Sequence, residues 1–278
     1  MTTLTTTTPD KLGPRAVPIP TMELPFYSPV SNEVELFERC DADHLPLMLK
    51  GPTGCGKTRF VEHMAARLDR KLITVPCHDD TSAADLLGRW LVQGGDTVWQ
   101  DGPVTRAVRE GAILYLDEIA EARPDVIVAI HPLTDHRRHL YVDRCGEELD
   151  APDDFMLVVS FNPGYQRGWK ELKPSTRQRF VGASFDYPQP ALEAEIVAQE
   201  SACESKLATR IVKLGGKLRD LEELGLAERA STRLLVDAGR LIRSGMEPRS
   251  ACRAAICEPL SDDPEILMAL GEVVSLAF

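Results

Sequence analysis

The hydrophobic positions of this chain fall into short unbroken runs separated by stretches with helical spacing. Leu45-Pro46-Leu47-Met48-Leu49 is the first run and ends in a glycine-rich loop. Leu72-Ile73-Thr74-Val75, Ala112-Ile113-Leu114-Tyr115-Leu116 and Phe155-Met156-Leu157-Val158-Val159 follow, with a fifth from Val181 to Phe185. The runs at 112–116 and 155–159 are continuous, which predicts strands covered on both faces of a parallel sheet. Between them Val61, Met64, Ala65 and Leu68 share a helical face, as do Val126, Ile130 and Leu133. His139-Leu140-Tyr141-Val142 and Glu147-Glu148-Leu149 flank Gly146 and predict a β-hairpin. Strands alternating with helices define an α/β layered fold.

The strand signal stops at Pro188-Gln189-Pro190. Beyond it the pattern predicts only helices, with breaks at Gly215-Gly216, Gly225, Gly245 and Pro264. Three parts are expected: a flexible Thr- and Pro-rich arm over 1–24, an α/β domain over 25–188, and a smaller all-α domain over 189–278.

Composition narrows the classes. The chain has 278 residues, enough for a core without disulfide or metal support. Its formal net charge is −11, which disfavours nucleic acid as a partner. No apolar stretch approaches the ~18–20 residues that span a bilayer, so no membrane role is expected. The N-terminus has neither a basic region nor an apolar segment, and no signal peptide is expected. The seven cysteines form no Cys-x-x-Cys pair, which points to a reduced, cytoplasmic setting. His131, His136 and His139 share no helix face well, and a zinc site is not expected. Trp90, Trp99 and Trp169 are read as packing or interface residues.

Candidate chemistry begins at Gly51-Pro52-Thr53-Gly54-Cys55-Gly56-Lys57-Thr58, which matches G-x-x-x-x-G-K-[ST] between a strand and a helix. Glycines let backbone N–H groups converge on phosphate oxygens, and the helix N-terminus adds partial positive charge. Lys57 is suited to the β and γ phosphates, and the Thr58 hydroxyl to Mg²⁺. Cys55 is read as a small loop filler rather than a redox-sensitive thiol. Asp117-Glu118 ends the apolar run that starts at Ala112. That position is the carboxyl edge of a parallel sheet, where ligands bind. Asp117 suits Mg²⁺ and Glu118 suits the attacking water, so the pattern predicts Mg²⁺-dependent ATP hydrolysis.

Three weaker signals accompany these. Asn162 follows a buried strand; it can order a water or simply form an Asn-Pro-Gly turn, and the residues alone favour the turn. Arg177 and Arg179 precede the fifth strand, either on a solvated face or facing the nucleotide of another subunit. Arg233 lies one turn into a helix that Ser231 or Thr232 caps, either on the surface or reaching a γ-phosphate.

In this order the pieces resemble an AAA+ ATPase, and within that class the CbbQ/NorQ branch of the MoxR group. Asp85-Leu86-Leu87-Gly88-Arg89, Asp101-Gly102-Pro103-Val104-Thr105-Arg106-Ala107, Leu114 to Glu118, and Ile130-His131-Pro132-Leu133-Thr134 carry the likeness. Ser160-Phe161-Asn162-Pro163-Gly164-Tyr165-Gln166 and Ser175-Thr176-Arg177-Gln178-Arg179-Phe180 extend it, so that it covers residues 23–278. The resemblance implies that Asn162 is a sensor 1, Arg179 the arginine finger with Arg177 its rival, and Arg233 a sensor 2. It implies that Leu91 to Gln100 is an insert in the second helix, directed to a central pore. It also implies a homo-oligomeric ring, usually a hexamer, that remodels a protein target with a von Willebrand factor A domain partner. Rubisco blocked by sugar phosphates is the target of the CbbQ type, with association to a carbon-fixation compartment. Nitric oxide reductase is the target of the NorQ type. Rubisco is the favoured expectation. A P-loop small-molecule kinase is the competing class, but it needs neither the Asp117-Glu118 pair nor a separate helical domain. An ATP-gated scaffold without turnover is disfavoured by the intact Glu118.

Overall fold

The computed structural model describes residues 24–163, 172–221, 226 and 228–278. The arm over 1–23, the Gly225 break, Gly164-Tyr165-Gln166 and Trp169 lie outside the described residues.

The five apolar runs form one parallel sheet: β1 (Leu47–Lys50), β2 (Leu72–Pro76), β5 (Ile113–Asp117), β8 (Met156–Phe161) and β9 (Val181–Ser184). The order across the sheet is β2-β5-β8-β1-β9. Alternate side chains of a strand point to opposite faces, and both faces are apolar here. Leu47, Leu49, Ile113, Tyr115, Met156 and Val158 pack on one side. They meet Phe37 of α1 (Glu33–Ala42) and Phe60, Val61 and Met64 of α2 (Lys57–Arg67). Met48, Leu114, Leu116, Leu157 and Val159 pack on the other side. They meet α3 (Ala83–Leu87), α4 (Pro103–Glu110) and α5 (Pro124–Ile130) through Leu86, Val104, Val108 and Val126. This double coverage is why the runs of the interior strands β5 and β8 are unbroken, whereas the edge strands β2 and β9 keep exposed positions at Thr74, Gly182 and Ser184.

Two antiparallel hairpins extend from the layered part. The expected one pairs β6 (His139–Val142) with β7 (Glu147–Asp150), and Gly146 in its turn has φ +69°. The other pairs β3 (Gly88–Gln93) with β4 (Asp96–Asp101) between α3 and α4. Gly94 and Gly95, with φ +63° and +96°, form its two-residue turn, which requires positive φ at both positions. Trp90 packs edge-on against Trp99 at 5.4 Å, and its indole N–H donates to the Arg144 carbonyl at 3.0 Å. The two hairpins are therefore tied together.

Among the described residues the smaller C-terminal part is all-α. Its helices are α7 (Pro190–Ser201), α8 (Ser205–Arg219), α9 (Thr232–Arg243), α10 (Pro248–Cys252) and α11 (Pro264–Ala277). A separate core holds it, built from Val197, Ile211, Leu214, Leu218, Leu235, Ile256 and Leu270. α6 (Pro174–Arg177) is a single turn before β9. Among the described residues no helix is long and apolar enough to cross a membrane.

One expectation is corrected. Gly215-Gly216 does not break a helix, since α8 runs through both. Tertiary packing outweighs the intrinsic cost of two glycines: Ile211, Leu214 and Leu218 are buried along the same face. Gly215 has a packing role, because a Cβ there would lie 2.8 Å from Leu235 Cδ1. Gly216 has no such role, as nothing lies within 4 Å of where its Cβ would stand. Gly216→Ala should therefore stabilise the protein by roughly 0.5–1 kcal/mol. A higher midpoint in chemical unfolding checks this, and an unchanged or lower midpoint contradicts it.

Candidate nucleotide-binding site

The loop between β1 and α2 is shaped by three glycines. Gly51 lies against β9's end, where an added Cβ would stand 2.4 Å from the Phe185 carbonyl oxygen. Gly54 and Gly56 have φ of +69° and +101°. An added Cβ on Gly54 would also meet Ser231 Cβ at 2.6 Å, so the start of α9 rests on the loop. Ser231 caps α9 by accepting from the Leu234 N–H.

Lys57 opens α2 and is only 7% exposed. Its ammonium donates to the carbonyls of Gly51 (2.8 Å) and Pro52 (2.9 Å) and to Asn162 Oδ1 (2.7 Å). Burial lowers its pKa, opposed by the charges of Cys55, Asp117 and Glu118. Cys55 is buried, and burial raises its thiol pKa, which fits the loop-filler reading.

Asp117 ends β5 beside Lys57. Its Oδ2 accepts from the Thr58 hydroxyl at 3.2 Å. Its Oδ1 accepts from the Tyr115 hydroxyl at 2.7 Å and from the Ser160 hydroxyl. Glu118 leaves the strand in a left-handed conformation, φ +55° and ψ +47°, which costs a non-glycine residue about 1 kcal/mol or more. Its N–H donates to Ser160 Oγ at 2.9 Å, which holds this turn. Its Oε1 accepts from Asn162 Nδ2 at 3.2 Å. Burial, and next the charge of Asp117, raise the Glu118 pKa against the pull of Lys57 and Asn162.

Asn162 thus touches three groups of the site, since its Nδ2 also donates to Thr53 Oγ1 at 3.2 Å. Lys57, Thr58, Asp117, Glu118 and Asn162 converge on one locus. The oxygen set at Thr58 and Asp117 is of the hard kind that suits Mg²⁺.

A cavity of about 660 Å³ opens from this locus between the loop and the C-terminal helices. Tyr27, Val30, Ile196 and Val236 give it an apolar wall, and Arg233 lies on its rim. Glu33 fixes the Tyr27 side: its carboxylate accepts from the Tyr27 hydroxyl (2.7 Å), the Val30 N–H (2.7 Å) and the Ser31 N–H (2.8 Å). A second cavity of about 290 Å³ lies on the other flank and includes Glu118, Asn162 and Glu228. Arg177 and Arg179 belong to neither cavity. Arg179 points to Asp135, 3.5 Å away, on an exposed surface.

Ser160, Tyr115, Tyr27, Ile196 and Val236 were not indicated by the sequence. Ser160 is an interior strand residue, and only its pairing beside Asp117 reveals a polar role. The apolar wall is assembled from segments far apart in the chain, with no local motif.

A parallel sheet of this order with a phosphate loop after β1, an acidic pair at the end of β5 and an all-α C-terminal part defines the AAA+ class of P-loop ATPases. A family model described as an AAA domain of the dynein-related subfamily matches residues 46–180, and one described as CbbQ/NirQ/NorQ C-terminal matches residues 193–277. The chain belongs to the CbbQ/NirQ/NorQ family of AAA+ ATPases, in the MoxR group. It is 61% identical to the denitrification regulatory protein NirQ of Pseudomonas aeruginosa, over 91% of this chain and 97% of that one. It is 58% identical to protein NorQ of Paracoccus denitrificans, over 92% and 95% of the two chains. It is 52% identical to protein CbbQ of Hydrogenophilus thermoluteolus, over 91% and 95%. Among solved structures, a point mutant of Thermotoga maritima RuvB superposes with a TM-score of 0.52. That match has 15% identity and covers 87% of this chain and 68% of the other, a likeness of fold.

Proposed function

We propose that this protein is a Mg²⁺-dependent ATPase that works as a homo-oligomeric ring, a hexamer, and remodels a protein target. The observation that carries this reading is the convergence of Lys57, Thr58, Asp117 and Glu118 on one cavity, with Asn162 hydrogen-bonded to both Lys57 and Glu118. Residues 51–58 hold the phosphates. Thr58 and Asp117 hold Mg²⁺, which when bound neutralises phosphate charge. Glu118 accepts a proton from the attacking water, and Asn162 holds Glu118 in place. Arg233 reaches the γ-phosphate from the rim. The helices from residue 189 onward act as a lid over the α/β domain of residues 25–188.

Arg179 and Arg177 support the ring. Neither lines either cavity beside the phosphate loop, as expected of side chains that serve the nucleotide of an adjacent subunit. Mixing Arg179→Ala subunits with Glu118→Gln subunits should restore part of the hydrolysis that each lacks alone. Interfaces that pair an intact Arg179 with an intact Glu118 supply it. A mixture no more active than its components, or full hydrolysis by monomers, contradicts the ring.

For the target we favour nitric oxide reductase, with a von Willebrand factor A domain partner. The relatives named for denitrification or NorQ stand at 57–61% identity, above the 52% of CbbQ. Rubisco is the second reading, and the CbbQ similarity over 91% of the chain favours it. The test supplies ATP, this protein and the cognate partner to inactive nitric oxide reductase and, in parallel, to Rubisco inhibited by a sugar phosphate. ATP-dependent gain in the reductase alone supports the first reading, and gain in carboxylation alone supports the second.

A further inference from the structure

A buried ionic network in the C-terminal helices reaches the phosphate loop at one end and Thr232, the residue before Arg233, at the other. Glu193 of α7 is 1% exposed. Its Oε1 accepts from Arg219 at 2.6 Å and from the Thr232 hydroxyl at 2.6 Å, and its Oε2 accepts from a second Arg219 nitrogen at 2.8 Å. The third Arg219 nitrogen, Nε, donates to the Ala230 carbonyl at 2.7 Å. The guanidinium also lies over the Tyr187 ring, 4.1 Å from its centre. The Tyr187 hydroxyl in turn donates to the Thr53 carbonyl of the phosphate loop at 3.2 Å.

A buried ion pair is weak evidence of stabilisation, because desolvation offsets the attraction. Its geometry is more informative. Ala230 and Thr232 bracket Ser231, the N-cap of α9, and Arg233 is the next residue. The network thus fixes the chain on both sides of the cap. Lysine in place of Arg219 would lack the fork, the Nε donor and the planar stack that make this simultaneous hold.

We infer that Glu193 and Arg219 are positioning residues that set where Arg233 meets the nucleotide, with Tyr187 joining that setting to the phosphate loop. This rests on the reading that Arg233 touches the γ-phosphate. The pair acts on the terminal phosphate through Arg233, so it bears more on ATP than on ADP.

The test uses the full chain with Mg²⁺ and measures affinity for ADP and for a non-hydrolysable ATP analogue by calorimetry. Thr232→Val removes one hydrogen bond at nearly constant shape, and Arg219→Lys removes the fork. Both should lower the ratio of analogue affinity to ADP affinity by about tenfold, the scale of one misplaced charged hydrogen bond. ADP affinity should fall much less than analogue affinity. Arg233→Ala should lower the same ratio, and adding Thr232→Val to it should lower it no further, because nothing remains to position.

Equal loss for both nucleotides with a lower melting temperature would mark a merely structural network and overturn the inference. So would an unchanged ratio in Thr232→Val and Arg219→Lys while Arg233→Ala lowers it, or fully additive losses in the double variant. An unchanged ratio in Arg233→Ala would instead overturn the γ-phosphate role of Arg233 itself, and the positioning role with it.

Discussion

Glu118→Gln should bind Mg²⁺ and ATP with near-parental affinity and hydrolyse ATP about 10²–10⁴-fold more slowly. The amide is isosteric, so the hydrogen bond that Asn162 Nδ2 gives to Oε1 survives. The turn also survives, because it depends on the Glu118 N–H and Ser160 rather than on the side chain. Lys57, Thr58 and Asp117 are untouched. What is lost is the basic oxygen that takes the proton of water. The parental enzyme should reveal the same group in its pH profile. Burial first and Asp117 second raise the Glu118 pKa above the usual glutamate value, with Lys57 opposing. The base works deprotonated, so turnover is present above that raised pKa and is lost as pH falls through it. The acid limb of turnover should therefore vanish from the residual rate of Glu118→Gln. Nucleotide titration, single-turnover hydrolysis and the pH profile check this, and a parental rate in Glu118→Gln would remove Glu118 from the chemistry.

Lys57→Ala should fail at the earlier step. Hydrogen bonds from a charged donor are worth roughly 1.5–3 kcal/mol each, so losing an ammonium shared by two phosphates weakens ATP binding by about 10²-fold or more. The loss also leaves the Gly51 and Pro52 carbonyls and Asn162 Oδ1 without their donor. Asn162 is then free to turn away from Glu118, so hydrolysis at saturating ATP should fall as well. Fluorescent-nucleotide titration against Glu118→Gln separates the two: affinity lost in one, turnover lost in the other. Parental affinity in Lys57→Ala would exclude its phosphate role.

The interior strands β5 and β8 were legible because both faces of each are covered, which makes their apolar runs unbroken, while the edge strands β2 and β9 gave shorter, interrupted signals. The phosphate loop was legible because glycines, lysine and threonine stand at a spacing that few other structures need. Asn162 was ambiguous because an Asn before Pro reads first as a turn, and only its proximity to Lys57 and Glu118 distinguishes the other use. The β3–β4 hairpin lacked a clear alternation signal, since Trp90, Val92 and Val98 are exposed and apolar positions occur on both of its faces. Gly215 misled because helix propensity is local, whereas its partner Leu235 is on the next helix. The Glu193–Arg219 pair was invisible for the same reason, as an isolated acid and an isolated base on two helices read as surface charges.

The contact of Gly54 with Ser231 carries a consequence for the history and engineering of this chain. A hydrogen atom where other residues carry a side chain is what admits the cap of α9 against the loop. Two segments far apart in sequence therefore share a single steric allowance. Any side chain introduced at 54 becomes a wedge that props the helices open, and any bulk added at 231 presses on the phosphates' own cradle. Substitutions at the two positions should be inherited as a pair, and grafting either segment into a relative without the other should yield a protein that folds in both parts but closes in neither register.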